Sequence, residues 1–403
     1  MRSDTRAWAE ISLDAIENNI KEIRRHVEPG AKIMGVVKAD AYGHGYLETA
    51  RTLLENGADS LAVAFIDEAI QLRRCGIECP LLILGHSSEK NVKKLVENDI
   101  MPNCYSVELA EAMSAEAVRQ GKTGKIHIKI DTGMSRVGFR YTEDEEINAK
   151  TVEKIVQISK LPNIEIAGIF THFAVADSDD DEYTDLQFRR FMRVCEALKA
   201  AGVEYGLRHC CNSAALMRFK HMHLDMVRPG IILYGEAPSE FVPKDILNLK
   251  PAMTLKARVT NLKELEPGVT VSYGRKYKTE RATKVATIPI GYADGYSRIL
   301  SGKAKVMIGG VKCDVIGTIC MDQCMADVTN VNNINVGDEI ILFGGSESGP
   351  DTVTVCDLAE MMGTINYEIL CVIGKRIPRV FVRGGKIEDV HNYLLDSPVS
   401  ETS

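Results

Sequence analysis

The sequence has 403 residues, of which 45% are hydrophobic and 26% charged, with a formal net charge of −7. That length suffices for two domains with a sizeable core, and the composition is that of an ordinary globular protein. A net negative chain argues against nucleic-acid binding, with Arg189-Arg190 read as a solvated helix face, and without an apolar run of about 18 residues no membrane span is expected.

The N-terminus carries no apolar segment of signal-peptide length. Eleven cysteines, an odd number, suit a reduced cytoplasmic setting better than a disulfide framework. Cys75/Cys79 and Cys320/Cys324 are each four apart, neither is a Cys-x-x-Cys pair, and no second pair lies at a zinc-finger spacing, so no structural metal is expected.

Ala7–Ile11 reads as a strand. Leu13, Ile16, Ile20, Ile23 and Val27, spaced three and four apart, mark an amphipathic helix stopped by Pro29-Gly30. Ile33–Val37 is a short apolar run that ends at Lys38. Helix and strand then alternate: helix 47–54, strand 61–65, helix 67–74, strand 81–84, helix 91–97, strand 100–104, and a helix with Ser106 as N-cap. Strands 126–130 and 164–170, a long helix near 183–201, and strands near 205–209 and 224–228 complete the series. About eight strands alternating with helices in roughly 220 residues predict an α/β fold, a closed (β/α)8 TIM-like barrel. No Gly-x-Gly-x-x-Gly follows an early strand, which disfavours a dinucleotide fold.

After Gly235 the texture changes. Met253–Leu262, Lys284–Ile290, Ala304–Ile308, Lys312–Ile316 and Glu339–Phe343 are short β-branched runs punctuated by Pro, Gly and Asn. They predict a mostly antiparallel C-terminal β domain, interrupted by one helix near Val355–Met362. The expected organisation is a barrel over 12–240, a β domain over 241–383 joined by the N-terminal strand 1–11, and a polar tail over 384–403.

In a barrel the working residues sit at the carboxyl ends of the strands. Lys38 is such a residue, either solvated or desolvated enough to act as the amine that forms Schiff bases. Tyr42, four residues on, shares its face if a helix starts there, and Gly43 and Gly45 allow a close backbone approach to a ligand. Asn212-Ser213 follows strand seven and Arg228-Pro229-Gly230-Ile231 follows strand eight. A hydroxyl with backbone N–H groups makes a phosphate cradle, unless Ser213 is a plain N-cap. His172 and His209 end strands six and seven, as site residues or structural ones. Lys129, between Ile128 and Ile130, is buried or inward-pointing, and Arg136 follows in the next loop. Read alone, Tyr273 is an aromatic in a β-turn.

The stretch Val36-Val37-Lys38-Ala39-Asp40-Ala41-Tyr42-Gly43-His44-Gly45 resembles the pyridoxal-lysine signature of bacterial alanine racemases, which carry Asn at the position of Asp40. Further motifs run in the family's order as far as about Phe381. The resemblance implies a homodimer that uses pyridoxal 5'-phosphate to interconvert L- and D-alanine for cell-wall peptidoglycan. Lys38 would hold the cofactor covalently and act as one base. Tyr273, in Val271-Ser272-Tyr273-Gly274, would be the other, reaching across the dimer interface with its phenolate favoured by a cationic His172–Arg228 pair.

The resemblance further implies that Arg228 faces the pyridine nitrogen, with His209 and His172 beside it. Tyr42, Asn212, Ser213, Gly230, Ile231 and Tyr367 would serve the cofactor, and Arg136 the substrate carboxylate, positioned by Lys129 as a carbamate. Tyr292 in Gly291–Gly295 would gate the entrance, and the Met321 backbone, beside Asp322, would touch substrate. The alternatives are a serine or broad-specificity racemase of the same fold, a non-catalytic pyridoxal carrier, which would lack the β domain, and a decarboxylase, which would carry a carboxylate in place of Arg228.

Overall fold

A computed structural model describes residues 5–345 and 352–396 of the chain. It divides into two compact units. One, the barrel unit, is Glu17–Ala41 with Thr49–Leu249. The other, the β unit, comprises the described residues of Met1–Ile16, Tyr42–Glu48 and Lys250–Ser403.

In the barrel unit eight strands run parallel: Lys32–Val36, Ser60–Val63, Leu81–Ile83, Ile100–Met101 continued by Asn103–Cys104, Gly124–Asp131, Ile164–Phe170, Leu207–His209 and Met226–Val227. The ring closes where Met226 pairs with Lys32 and Val227 with Ile33. Strand four is split at Pro102, which has no N–H to give the ladder. Its first half pairs with Leu81–Ile83 and its second half with Gly124–Asp131. Strands seven and eight are linked by the Asp225 N–H to the Arg208 carbonyl, 3.2 Å.

Period-two alternation decides what faces the interior. In Gly124–Asp131 the even positions face a helix, since a side chain at Gly124 would meet Ala117 and Met113 of Val107–Gln120. Ile126, Ile128 and Ile130 are fully buried on that side, each worth roughly 1.5–3 kcal/mol of burial. His127, Lys129 and Asp131 therefore point into the barrel. The helix Glu145–Ser159 has no counterpart in the sequence reading, although Asp144 caps it by accepting from the Glu146 and Ile147 N–H groups. Arg190 is not a solvated residue either. Its side chain is 14% exposed, pairs with Glu143 at 3.1 Å and donates to the Thr132 carbonyl at 3.0 Å.

The β unit holds a ten-stranded sheet in which each neighbouring pair is antiparallel except Ala7–Ser12 with Arg379–Arg383. Three expectations are corrected there. The run Met253–Leu262 is two strands: Met253–Arg258 pairs with Ala7–Ser12, while Asn261–Leu265 forms one sheet edge. A second helix, Asn366–Cys371, follows Val355–Met362. The stretch from 384 is not simply a tail, since Lys386–His391 is a strand at the other edge, paired with Arg379–Arg383. Its polar sequence is that of an exposed edge strand, and 397–403 lie outside the described residues.

Tyr42–Glu48 belongs with the β unit, and two glycines account for it. A Cβ on Gly43 would lie 2.4 Å from the Leu370 carbonyl oxygen, and one on Gly45 would lie 2.5 Å from the Phe381 ring. These glycines admit protein neighbours, not a ligand. Among the described residues no helix is long and apolar enough to cross a membrane.

Candidate active site

Lys38 follows the first barrel strand, and the chain then turns the unusual way. Ala39, Asp40, Ala41 and Tyr42 all have φ between 53 and 56°, a left-handed turn. Tyr42 therefore does not share a right-handed helical face with Lys38. Four such residues in a row are costly for L-amino acids and need outside support. Glu68 provides it: one carboxylate oxygen accepts from the Ala39 N–H and the other from the Ala64 N–H, both at 2.7 Å. Asp40 suits this turn because Asn and Asp are the side chains that best tolerate left-handed φ, which gives the Asn-to-Asp difference a physical basis.

Arg228 is the centre of the barrel's polar interior. It is 3% exposed. Nη1 donates to His209 Nδ1 at 2.9 Å, and Nη2 donates to the carbonyls of Thr171 (2.8 Å) and Cys210 (3.1 Å) and approaches His172 Nδ1 at 3.3 Å. No carboxylate among the described residues pairs with it. Burial brings its pKa down to about 10, so the guanidinium stays charged at neutral pH. His209, stacked on Phe170 at 4.8 Å, and His172 are both held well below the usual imidazole range, first by desolvation and then by the Arg228 charge. His172 remains uncharged even though part of its surface reaches solvent. A cationic His172–Arg228 pair is therefore corrected to a cation beside a neutral imidazole.

Lys129 is 4% exposed, and its Nζ lies 4.9 Å from the Phe170 ring centre. Burial, then Arg228 and Arg136, push its amine well below the ordinary range. One residue past it in the inward series, Asp131 Oδ1 accepts from the N–H groups of Gly133 and Ser135, each at 3.0 Å, and shapes the loop that carries Arg136. The long helix Asp181–Ala200 pins that loop. Tyr183 Oη donates to the Gly133 carbonyl at 2.8 Å, and Gln187 bridges Thr132 Oγ1 and the His172 carbonyl. Arg136 itself is exposed at the loop's end.

At the ends of strands seven and eight, Asn212 is the N-cap of Ser213–Arg218, with Oδ1 accepting from the Ala215 N–H at 2.9 Å. Ser213 is not the cap. Its Oγ accepts from the Gly230 N–H at 2.8 Å, which joins the two rim segments, and its hydroxyl proton remains to be donated. Ile231 opens the short 3-10 turn Ile231–Tyr234.

In the β unit, Tyr42 and Tyr367 lie with ring centres 6.1 Å apart, and burial pushes the Tyr42 phenol far above its usual range. Tyr273 is 71% exposed. Its backbone is held by Thr318 Oγ1, which donates to the Tyr273 carbonyl at 2.9 Å, and the preceding Ser272 hydroxyl bonds the Thr318 carbonyl. Tyr292 and Met321 are brought together: Tyr292 N–H donates to Cys320 O (3.1 Å) and Ala293 N–H to Met321 O (3.0 Å). Gly291 is required here, since a Cβ would sit 2.2 Å from the Cys320 oxygen. Asp322 pairs with Arg376 at 2.6 Å. Asp294, fully buried, pairs with Arg6 at 2.7 Å and Arg376 at 3.3 Å, and so anchors the Tyr292 segment.

The barrel unit thus gathers Lys38, Lys129, Arg136, His172, His209, Asn212, Ser213, Arg228, Gly230 and Ile231. The β unit carries Tyr42, Tyr273, Tyr292, Met321, Asp322 and Tyr367. The sequence reading missed Glu68, His127, Gln187 and Asp294. Only His127 left a signal, through its alternation with Lys129 and Asp131.

The model of the alanine racemase N-terminal domain family matches residues 11–238, and that of the C-terminal domain family matches residues 252–381. The alanine racemase of Clostridium perfringens is 50% identical over 388 residues, 96% of this chain and 98% of that protein. The solved alanine racemase of Clostridium difficile superposes with a TM-score of 0.91 at 43% identity, covering 97% of this chain and 100% of the other. The Bacillus anthracis alanine racemase, solved with bound L-Ala-P, gives 0.88 at 36% identity, covering 98% and 99%. With both family domains matched in order on a (β/α)8 barrel and a mostly antiparallel β unit, this chain belongs to the alanine racemase family.

Proposed function

We infer that this chain interconverts L- and D-alanine with pyridoxal 5'-phosphate carried on Lys38, as a homodimer in the cytoplasm, supplying D-alanine for peptidoglycan. The observation that carries the reading is Arg228: a buried cation with no carboxylate partner among the described residues, on the same barrel rim as Lys38. Its hydrogen bonds to His209, Thr171 and Cys210 use the Nη atoms, which leaves Nε for an acceptor such as a pyridine nitrogen. The donor set fits the rest of the cofactor. In the barrel unit the Ser213 hydroxyl and the Gly230–Ile231 backbone suit a phosphate, and Asn212 holds the helix that presents Ser213; the family resemblance adds the Tyr42 and Tyr367 phenols of the β unit.

When bound, the cofactor supplies the electron sink that acidifies the α-C–H of the amino acid. Lys38 Nζ takes or returns that proton on one face. Tyr273 Oη, contributed by a second copy of the chain, does so on the other, and two bases on opposite faces invert the centre. Arg228 cannot give up its proton, so a nitrogen facing it stays unprotonated, which favours prompt return of the α-proton. The neutral His172 and His209 keep further positive charge away from that nitrogen. Arg136 pairs with the substrate carboxylate. Burial pushes the Lys129 amine well below its ordinary range, which favours the free-base form that adds carbon dioxide to give a carbamate and a proton, and the resulting anion would orient Arg136. Tyr292 and Met321, with Asp322 holding Arg376 beside them, line the way in.

Dimerisation is supported by the exposed side chains of Tyr273, Met321, Ile365 and Val372 on the β unit. A reducing compartment is supported by eleven cysteines that are all free thiols. Among substrates alanine is favoured over serine, because the close relatives carry the alanine name.

The test is chiral chromatography of purified protein given L-Ala or L-Ser, with and without added pyridoxal phosphate. Cofactor-dependent D-Ala formation that outpaces D-Ser formation is expected. No D-Ala in the presence of cofactor would refute the activity, and faster serine conversion would refute the substrate.

A further inference from the structure

We propose that His127 is a positioning residue, the far end of a one-directional hydrogen-bond chain Arg228–His209–His127 that holds the guanidinium in place. It rests on the reading of Arg228 given above. His127 Nδ1 lies 2.9 Å from His209 Nε2, and His209 Nδ1 lies 2.9 Å from Arg228 Nη1. A guanidinium only donates, so His209 Nδ1 accepts and the His209 proton sits on Nε2. That proton needs an acceptor, and His127 Nδ1 is the atom in reach. His127 then carries its own proton on Nε2. Each ring's tautomer follows from the previous bond, beginning at the arginine.

The strand is built to seat this ring. A register shift falls between Ile126 and His127, where Ile126 faces Ile166 but His127 faces Gly168. A Cβ on Gly168 would lie 2.5 Å from His127 Nδ1, so glycine opposite the bulge is what admits the imidazole. His127 is 2% exposed, with its ring 5.0 Å from the His209 ring and 6.4 Å from Phe170. It borders a cavity of about 340 Å³ that also touches Lys32, Asp59, Lys125 and Glu165, room for a water that accepts a hydrogen bond from Nε2–H. Without His127, the His209 N–H would be buried with nothing to accept it, and the ring would turn away from Arg228.

Two variants test the chain. H127N places an amide oxygen near the Nδ1 position and keeps an acceptor, whereas H127L keeps bulk and removes it. The first readout is 15N NMR of the imidazoles in cofactor-free protein, which does not depend on activity. Wild type and H127N should show His209 protonated on Nε2 and bare on Nδ1, and H127L should lose that pattern. The second readout is racemisation, where H127L should lose on the order of tenfold or more in kcat with little change in KM, and H127N should recover most of it. An unchanged His209 pattern in folded H127L would overturn the proposal, as would a folded H127N that loses the pattern. If H127L does not fold, H127N alone decides. A wild-type His209 pattern as described in a protein that racemises nothing would keep the chain and reject the reading of Arg228.

Discussion

Arg228 in the barrel is 3% exposed and Tyr273 in the β unit is 71% exposed, and the two regions hold their chemistry accordingly. In the barrel, burial does the work. It keeps three imidazoles neutral around one cation and depresses the Lys129 amine. Each polar group there is placed by another, and the strands that carry them are buried on both faces. In the β unit the key side chain has no such shell, and what is fixed is the backbone beneath it, through Thr318 and Ser272. A group that is shaped by its own fold is finished within one chain. A group whose backbone is rigid and whose side chain is exposed is poised for a surface that another molecule supplies.

The strongest way to break this comparison is to remove one group from each region. Lys38→Ala should abolish racemisation, by a factor on the order of 10³ or more, and with it the cofactor's visible absorbance. Tyr273→Phe should keep that absorbance and lose about 10²–10⁴-fold in kcat, the range for a positioned acid or base. Full activity in Tyr273→Phe would end the account of the β unit as a contributor of chemistry.

A second test concerns packing. Gly45→Ala drives a methyl group into the Phe381 ring at positive φ, and should destabilise the fold by about 2–4 kcal/mol in urea denaturation. Gly30→Ala, at similar φ but with nothing within 4 Å, should lose only the strain, about 1–2 kcal/mol. Equal losses would mean that the Phe381 contact is of no consequence.

The last test, read as a difference in slope, sharpens the barrel side. His127 is held at about 3, by burial and then by Arg228, against an ordinary value of 6.5. Its folded pKa is depressed, so between those values the unfolded chain binds a proton that the folded chain refuses. The stability it contributes is complete above the unfolded pKa and is lost as pH falls toward the folded one, at about 1.4 kcal/mol per pH unit. His172 and His209 are lowered in the same direction and steepen the slope. Urea midpoints taken down this range should fall less steeply for H127N than for wild type. Parallel slopes would show that His127 does not exclude its proton.

Much of the architecture could be read directly. Most of the barrel strands announce themselves because local apolar runs between turn residues are enough to specify a buried parallel strand, and the last two follow from the continued alternation with helices. Lys38, His172, His209 and Arg228 could be singled out because the end of a strand is a local fact, and the structure does bring His172 and His209 to Arg228. Other features depend on neighbours far along the chain. Glu68 is unremarkable in sequence and becomes the anchor of the Lys38 turn only when its helix is packed. Gly43 and Gly45 look like ligand contacts until Leu370 and Phe381 fill the space.

By itself, then, the sequence determined the alternation of elements, the buried or inward placing of Lys129 between two isoleucines, and the charged and nucleophilic residues available at the strand ends. Those follow from side-chain period and chain direction, which need no distant partner. Tertiary structure alone decided the left-handed turn after Lys38, the neutrality of the histidines, and the bulge that seats His127 against Gly168. Backbone strain, desolvation and fit are properties of what surrounds a residue, and the surroundings exist only once strands more than thirty residues apart, such as those of His127 and Gly168, lie side by side.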